Sequence, residues 1–204
     1  ITSEEFPAHL DKLRHTLEVA DVLGAKNLRM FSFYVADGQQ EQYRNKVIDQ
    51  MGQMLEVAKG SGVAMCHENE KGIYGDVASR CHELLSVFPE LQGIFDPANF
   101  IQSGQDTLEA WRLLGSRIRY LHIKDAMADG KVVPAGKGIG QVKQILDSFR
   151  ANGGNAVTLE PHLSVFDGLK GLEQAGARTQ IDAYCYESSD AAFDAACNAL
   201  KELL

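Results

Sequence analysis

The sequence predicts an α/β fold of the β/α-barrel kind, and three observations point there. Short β-branched and aromatic runs alternate with amphipathic helical stretches. Four of those runs end in ionisable residues: Glu68, Asp96, the group His122, Lys124 and Asp125, and Glu160. The first run leads into Ala36-Asp37-Gly38-Gln39, not into the glycine-rich phosphate loop that an open doubly wound sheet carries there. Strands separated by single helices are parallel, because each crossover returns the chain to the same edge. In a barrel of such strands the functional groups gather at the C-terminal strand ends. Four polar ends spread along the chain fit that arrangement better than a single switch point.

In chain order, Thr2 with Glu5 reads as a capping box, and Leu10, Leu13, Leu17 and Ala20 mark a helical face that stops at Gly24. Asn27 to Val35 reads as a buried strand. A second helix runs from about Glu41 to Lys59, with Val47, Met51, Leu55 and Ala58 inward, before Gly60-Ser61-Gly62. Val63 to Glu68 is the next strand. Tyr74-Gly75-Asp76 opens a helix carrying Val77, Cys81, Leu84 and Leu85, and Leu91 to Asp96 is a strand. Asp106 or Thr107 caps a helix through Trp111 to Leu114, and the strand from 118 to 125 follows. A loop from Asp129 to Gly140 precedes a helix with Val142, Ile145, Leu146 and Phe149. Asn152-Gly153-Gly154 leads into the strand Ala156 to Glu160. In the segment 161–187, Asp167 caps a short helix. Ser188 or Ser189 caps the last helix, which carries Ala192, Phe193, Ala196, Leu200 and Leu203.

Composition narrows the function. With 204 residues and 45% hydrophobic content, the chain builds one sizeable core, expected as a single domain over 1–204. A net charge of −8, with no basic stripe, argues against nucleic acid. No apolar run approaches the roughly 20 residues of a membrane span, so a membrane partner is not expected. Cys66, Cys81, Cys185 and Cys197 form no CxxC pair, which suits reduced thiols and a cytoplasmic protein.

An imidazole and three carboxylates at successive strand ends form a hard, oxygen-rich ligand set: Glu68, Asp96, His122 and Glu160. Such a set suits Mn²⁺ or Mg²⁺, with Co²⁺ or Zn²⁺ as alternatives. Alternation puts Lys124 on the face of His122, where it either neutralises a substrate oxyanion or phosphate, or pairs with a rim carboxylate. His162, two residues past Glu160, is a candidate substrate contact. Asn99 either binds a substrate hydroxyl or caps its own turn. The run Gly136-Lys137-Gly138-Ile139-Gly140 lacks GxGxxG spacing and reads as a rim loop rather than a dinucleotide site. His67 should face the helices, and Cys66 should fill the interior.

Taken in order, Glu68-Asn69, Asp96, His122-Ile123-Lys124-Asp125, Gly138-Ile139-Gly140 and Leu159-Glu160 resemble the xylose-isomerase-like β/α barrel family. That family holds sugar isomerases and epimerases, hydroxypyruvate isomerase, inosose and 3-dehydroshikimate dehydratases, and endonuclease IV. The resemblance implies a (β/α)8 TIM barrel of which this chain covers about strands 4 to 8, the C-terminal two-thirds. It implies Glu68, Asp96, His122 and Glu160 as metal ligands, with Glu68 and Glu160 also the catalytic acid and base. It implies a small sugar or sugar phosphate as substrate. Two positions depart from the sugar epimerases: Asn99 stands where they carry His, and Ala128 where they carry Arg. The expected activity is metal-dependent isomerisation or epimerisation by proton abstraction next to a carbonyl. A dehydratase on the same barrel and a catalytically silent ligand-binding barrel are the alternatives. The apolar run Asn27 to Val35 is expected at a sheet edge, covered by upstream residues or by a partner chain, as in a homo-oligomer.

Overall fold

A computed structural model describes residues 1–163, 184 and 186–204. Five strands form one parallel sheet: β1 (Asn27–Met30), β2 (Ala64–Glu68), β3 (Gln92–Phe95), β4 (Ile118–Ile123) and, after a hairpin, β7 (Val157–Leu159). They lie side by side in sequence order, β1 next to β2 through to β4 next to β7, which is how a barrel wall is laid down. Among the described residues both outer strands are edges, so the sheet is a half-barrel. The alignments Arg29 with Cys66, and His122 with Thr158, keep one side-chain phase across the wall. Arg29, Cys66, Glu68, His122 and Thr158 therefore face inward, while Met30, Met65, Phe95 and Leu121 face the helices.

The helices α1 (Phe6–Leu23), α2 (Gln40–Ala58), α3 (Ala78–Val87), α5 (Thr107–Leu114) and α6 (Val142–Ala151) supply the other half of the core. Leu13, Met51, Leu84, Trp111 and Phe149 pack with the strand residues in one cluster. Phe95 meets Trp111 edge-on at 5.3 Å between centroids, and the indole Nε1–H donates to Ser148 Oγ at 2.9 Å. Each such buried side chain contributes about 1.5–3 kcal/mol. The last helix, α7 (Ser189–Leu203), starts at a Ser188 cap whose hydroxyl accepts from the Ala191 N–H.

Several sequence expectations shift. α1 begins at Phe6 with Pro7 in its first turn; the Thr2–Glu5 capping box does not form, and Ser3 Oγ instead accepts from the Glu5 N–H. The first strand ends at Met30. Ser32 then turns away, because its hydroxyl bonds the Gly75 N–H and the His67 ring, and Tyr34 bridges Ile73. Asp96 is not the last residue of a strand but the N-cap of a short helix, α4 (Pro97–Gln102). The loop after β4 contains a hairpin, β5 (Asp125–Ala126) with β6 (Val132–Val133). Phe193 lies 50% exposed, while Ala192, Ala196 and Ala199 form the buried face of α7. The Asp167 cap and Cys185 fall outside the described residues. Cys66, Cys81 and Cys197 are unbonded thiols. Among the described residues, no helix is long and apolar enough to cross a membrane.

Candidate metal centre

Each strand end delivers one group. Glu68 is the last inward residue of β2, and His122 the last inward residue within β4. Asp96 spends Oδ1 on the Asn99 N–H at 3.0 Å as the cap of α4, which leaves Oδ2 for the mouth. Glu160 follows β7, its N–H bonded to Ile123 O at 3.3 Å. Glu68, Asp96, His122 and Glu160 each offer a ligand atom, and these atoms all lie within 4.8 Å of one another. His122 Nδ1 sits between the two glutamates, 2.8 Å from Glu68 Oε1 and 2.9 Å from Glu160 Oε2. Lys124 Nζ is 2.9 Å from Asp96 Oδ2.

Electrostatics follow from these contacts. Burial opposes the charged His122 ring, but its bonds to Glu160 and Glu68 outweigh that and raise its pKa to about 9. Burial also works against the Glu160 carboxylate, yet His122, His162 and Lys124 hold its pKa far below the usual range. For Asp96, burial and the like charges of Glu68 and Glu160 push upward against Lys124. Lys124 is disfavoured by burial but held as an ammonium by Asp96 first and then by the glutamates.

The donor set fits a divalent cation. Ligands 2.0–2.6 Å from one ion lie at most about 5 Å apart, and 4.8 Å is within that span. Asp96 Oδ2 and Glu160 Oε2 are buried, and neither accepts a well-aligned hydrogen bond. Their neighbours Lys124 and His122 lie at ion-pair distance without hydrogen-bond geometry, so both oxygens keep acceptor capacity.

A family profile described as xylose isomerase-like TIM barrel matches residues 2–183. The chain belongs to that family. Solved structures agree on the fold. An IolI protein with a bound zinc atom superposes with a TM-score of 0.74 at 14% identity, covering 99% of this chain and 72% of that one. The probable 3-DHS dehydratase AsbF of Bacillus anthracis gives 0.72 at 17% identity, with 98% and 72% covered. D-psicose 3-epimerase of Clostridium cellulolyticum H10, solved with D-tagatose, gives 0.69 at 15% identity, with 100% and 72% covered. The chain thus spans 72% of the length of each of these three. No curated protein matches the sequence.

Within this xylose isomerase-like wall, the three residues expected to touch substrate have distinct settings. Lys124 is 4% exposed and occupied by Asp96. Asn99, 1% exposed, is a brace: its Nδ2 donates to Asn69 O at 2.9 Å and to Glu70 Oε2 at 3.3 Å. Asn69 in turn exchanges two hydrogen bonds with the Asp96 backbone, tying the ends of β2 and β3 together. His162 takes a left-handed backbone, φ 46°, and its Nε2 lies 3.4 Å from Glu160 Oε1. His67 faces the helices, where burial depresses its pKa to about 4 and Ser32 Oγ lies 3.1 Å from its Nε2.

Arg29 escaped the sequence reading, and Asp125 was read there as a strand-end group without a role. Arg29, on β1, donates Nη1–H to Glu68 Oε2 at 2.9 Å and stands 3.7 Å from Glu160 Oε1. Its strand phase, shared with Cys66 and Glu68, was the available signal. Asp125, fully buried, accepts from four backbone N–H groups: Ala126 and Gly140 on Oδ1, Gly136 and Gly138 on Oδ2, at 2.8 to 3.0 Å. A Cβ on Gly138 or Gly140 would strike that carboxylate. The alternating glycines of the rim loop therefore wrap a side chain of their own chain.

Proposed function

We propose that this chain carries the site of a divalent-metal-dependent isomerase or epimerase of a sugar or sugar phosphate, acting by proton transfer next to a carbonyl. The observation that carries this reading is the convergence of two glutamates, one aspartate and one histidine within 4.8 Å at the C-terminal mouth of the sheet. Glu68, Asp96, His122 and Glu160 would hold the ion, which when bound would polarise the carbonyl and hydroxyl oxygens of the substrate. Manganese or magnesium suits the oxygen-rich set, and the zinc-bound IolI structure keeps zinc open.

The protein's own work is proton handling. Glu68 and Glu160 flank His122, so a substrate held between them meets one carboxylate on each side. The two differ in access, since Glu68 is 1% and Glu160 25% exposed. Glu160 is accordingly the carboxylate that exchanges its proton with solvent, and Glu68 the one that works shielded from it. Glu68→Gln and Glu160→Gln keep shape and remove the basic oxygen. Both should retain the ion and lose solvent-deuterium incorporation into substrate by about 10² fold or more. Exchange at the parent rate in both variants would overturn the reading.

A dehydratase is the second reading. Asn99 and Ala128 replace the His and Arg of sugar epimerases, and Asn99 is committed to bracing Asn69 rather than facing a ligand. The first step, proton abstraction, is common to both. Mass analysis of products separates them, because a dehydratase releases water and an epimerase conserves mass.

A further inference from the structure

We infer that Arg29 is an oxyanion anchor, and that the substrate of this site carries a carboxylate or phosphate group. The inference rests on reading the pocket as an enzyme site and narrows its substrate from sugars in general to acidic ones.

The cations of the pocket are not equally available. Lys124 is shut in against Asp96, and His122 is bracketed by two glutamates. Arg29 is different, with 40% of its side chain exposed. Only Nη1 is engaged, by Glu68 at 2.9 Å and more distantly by Glu160 at 3.7 Å. The edge formed by Nε and Nη2 has no hydrogen-bond partner among the described residues. That edge carries parallel N–H donors in the spacing that matches a carboxylate or phosphate bidentately.

The guanidinium is also fixed in place. Its Cζ lies over the Phe31 ring, 5.1 Å from the centroid, so a cation–π contact steadies it while Glu68 holds one end. A donor fork fixed before binding loses little entropy when an anion arrives. Because Arg29 bonds Glu68 directly, an anion on its free edge would sit next to the ligand cluster, the placement needed to present the adjoining carbons to Glu68 and Glu160.

The test follows the arginine itself. Protein labelled with ¹⁵N-arginine is prepared magnesium-loaded and metal-free, and the Arg29 Nε–H signal is identified by its loss in Arg29→Met. Each sample is titrated with acetate, with inorganic phosphate, and with ethylene glycol as a neutral control. The Arg29 signal should move saturably, at an anion concentration about 10-fold or more below that needed to move the exposed Arg112. Acetate acting at lower concentration identifies a carboxylate substrate, and phosphate a phosphorylated one. A response no earlier than that of Arg112, or an equal response to ethylene glycol, overturns the inference. So does a response confined to the magnesium-loaded sample, which would put the anion on the ion. Arg29→Lys keeps the charge without the fork, and its anion affinity should fall toward that of a surface cation. Because the titration needs no turnover, anion binding without deuterium exchange would sink the isomerase reading and leave Arg29 standing. Exchange on neutral sugars without anion binding would do the reverse.

Discussion

Just past the ends of β3 and β4 the charged side chains of the pocket are shut in, Asp96 completely and Lys124 at 4% exposure, whereas Arg29 on the edge strand β1 is 40% and Glu160, just past the edge strand β7, 25% exposed. The two regions contribute to one pocket yet treat charge in opposite ways. In the centre every charge has a partner fixed by the backbone or by another buried group: Asp96 has the Asn99 N–H and Lys124, and Asp125 has four N–H donors. At the edges the charges are reached by flexible side chains and meet solvent. A buried charge with fixed partners cannot be spared for a ligand without a large desolvation cost. The centre is thus built to hold geometry, and the edges are where a substrate can be engaged.

The largest test of this contrast is Asp125→Ala. It leaves the N–H groups of Ala126, Gly136, Gly138 and Gly140 without their acceptor, and each lost bond to a charged group costs about 1.5–3 kcal/mol. A loss of about 4 kcal/mol or more in denaturant unfolding is expected, after allowing for water entering the loop. A loss below about 1 kcal/mol would show that the rim loop does not depend on its carboxylate.

Next is Lys124→Met. Removing one partner of a buried pair costs roughly 3–5 kcal/mol because the other charge stays behind, and here Asp96 is left beside two further carboxylates. The loss is expected near the lower end, and added Mn²⁺ should restore part of it, since a bound cation replaces the missing positive charge. If Mn²⁺ raised the melting temperature of the parent protein and of Lys124→Met by the same amount, Lys124 and the ion would be independent.

Much of this was readable from residues alone, and what was not has a physical reason. Strand periodicity fixes a face and a strand end fixes a height, and those two coordinates suffice to bring Glu68, Asp96, His122 and Glu160 together. Partner choice needs distances that periodicity does not carry. Lys124 was left between substrate and salt bridge because its face is common to both outcomes. Arg29 was hidden in Leu28-Arg29-Met30-Phe31, where apolar neighbours make the whole run look like core. Its role depends on a long side chain reaching from one strand to the end of the next. The helix after Asp96 did have a signal, an acidic cap followed by proline at the first helical position, but the strand reading overrode it.

The smallest effect expected is the most direct measure of the contrast, and it compares two double-mutant cycles. Arg29 and Glu160 stand 3.7 Å apart on the outer strands, both open to water. Exposed pairs of this kind couple by about 0.2–1 kcal/mol, because water screens them and holding two long side chains in register costs entropy. The cycle of Arg29→Met with Glu160→Gln should therefore give a coupling below about 0.5 kcal/mol. Asp96 and Lys124 are 2.9 Å apart and buried. The cycle of Asp96→Asn with Lys124→Met should reach about 1.5 kcal/mol or more, within the range for residues sharing one ion-pair network. Urea unfolding of the four single and two double variants supplies both numbers, and metal-free buffer keeps the ion out of the comparison. Equal couplings would mean that Arg29 is committed to Glu160 as firmly as Lys124 is to Asp96. Its guanidinium would then have no surplus attraction for an oxyanion, and the edge strands would be doing the same structural work as the centre.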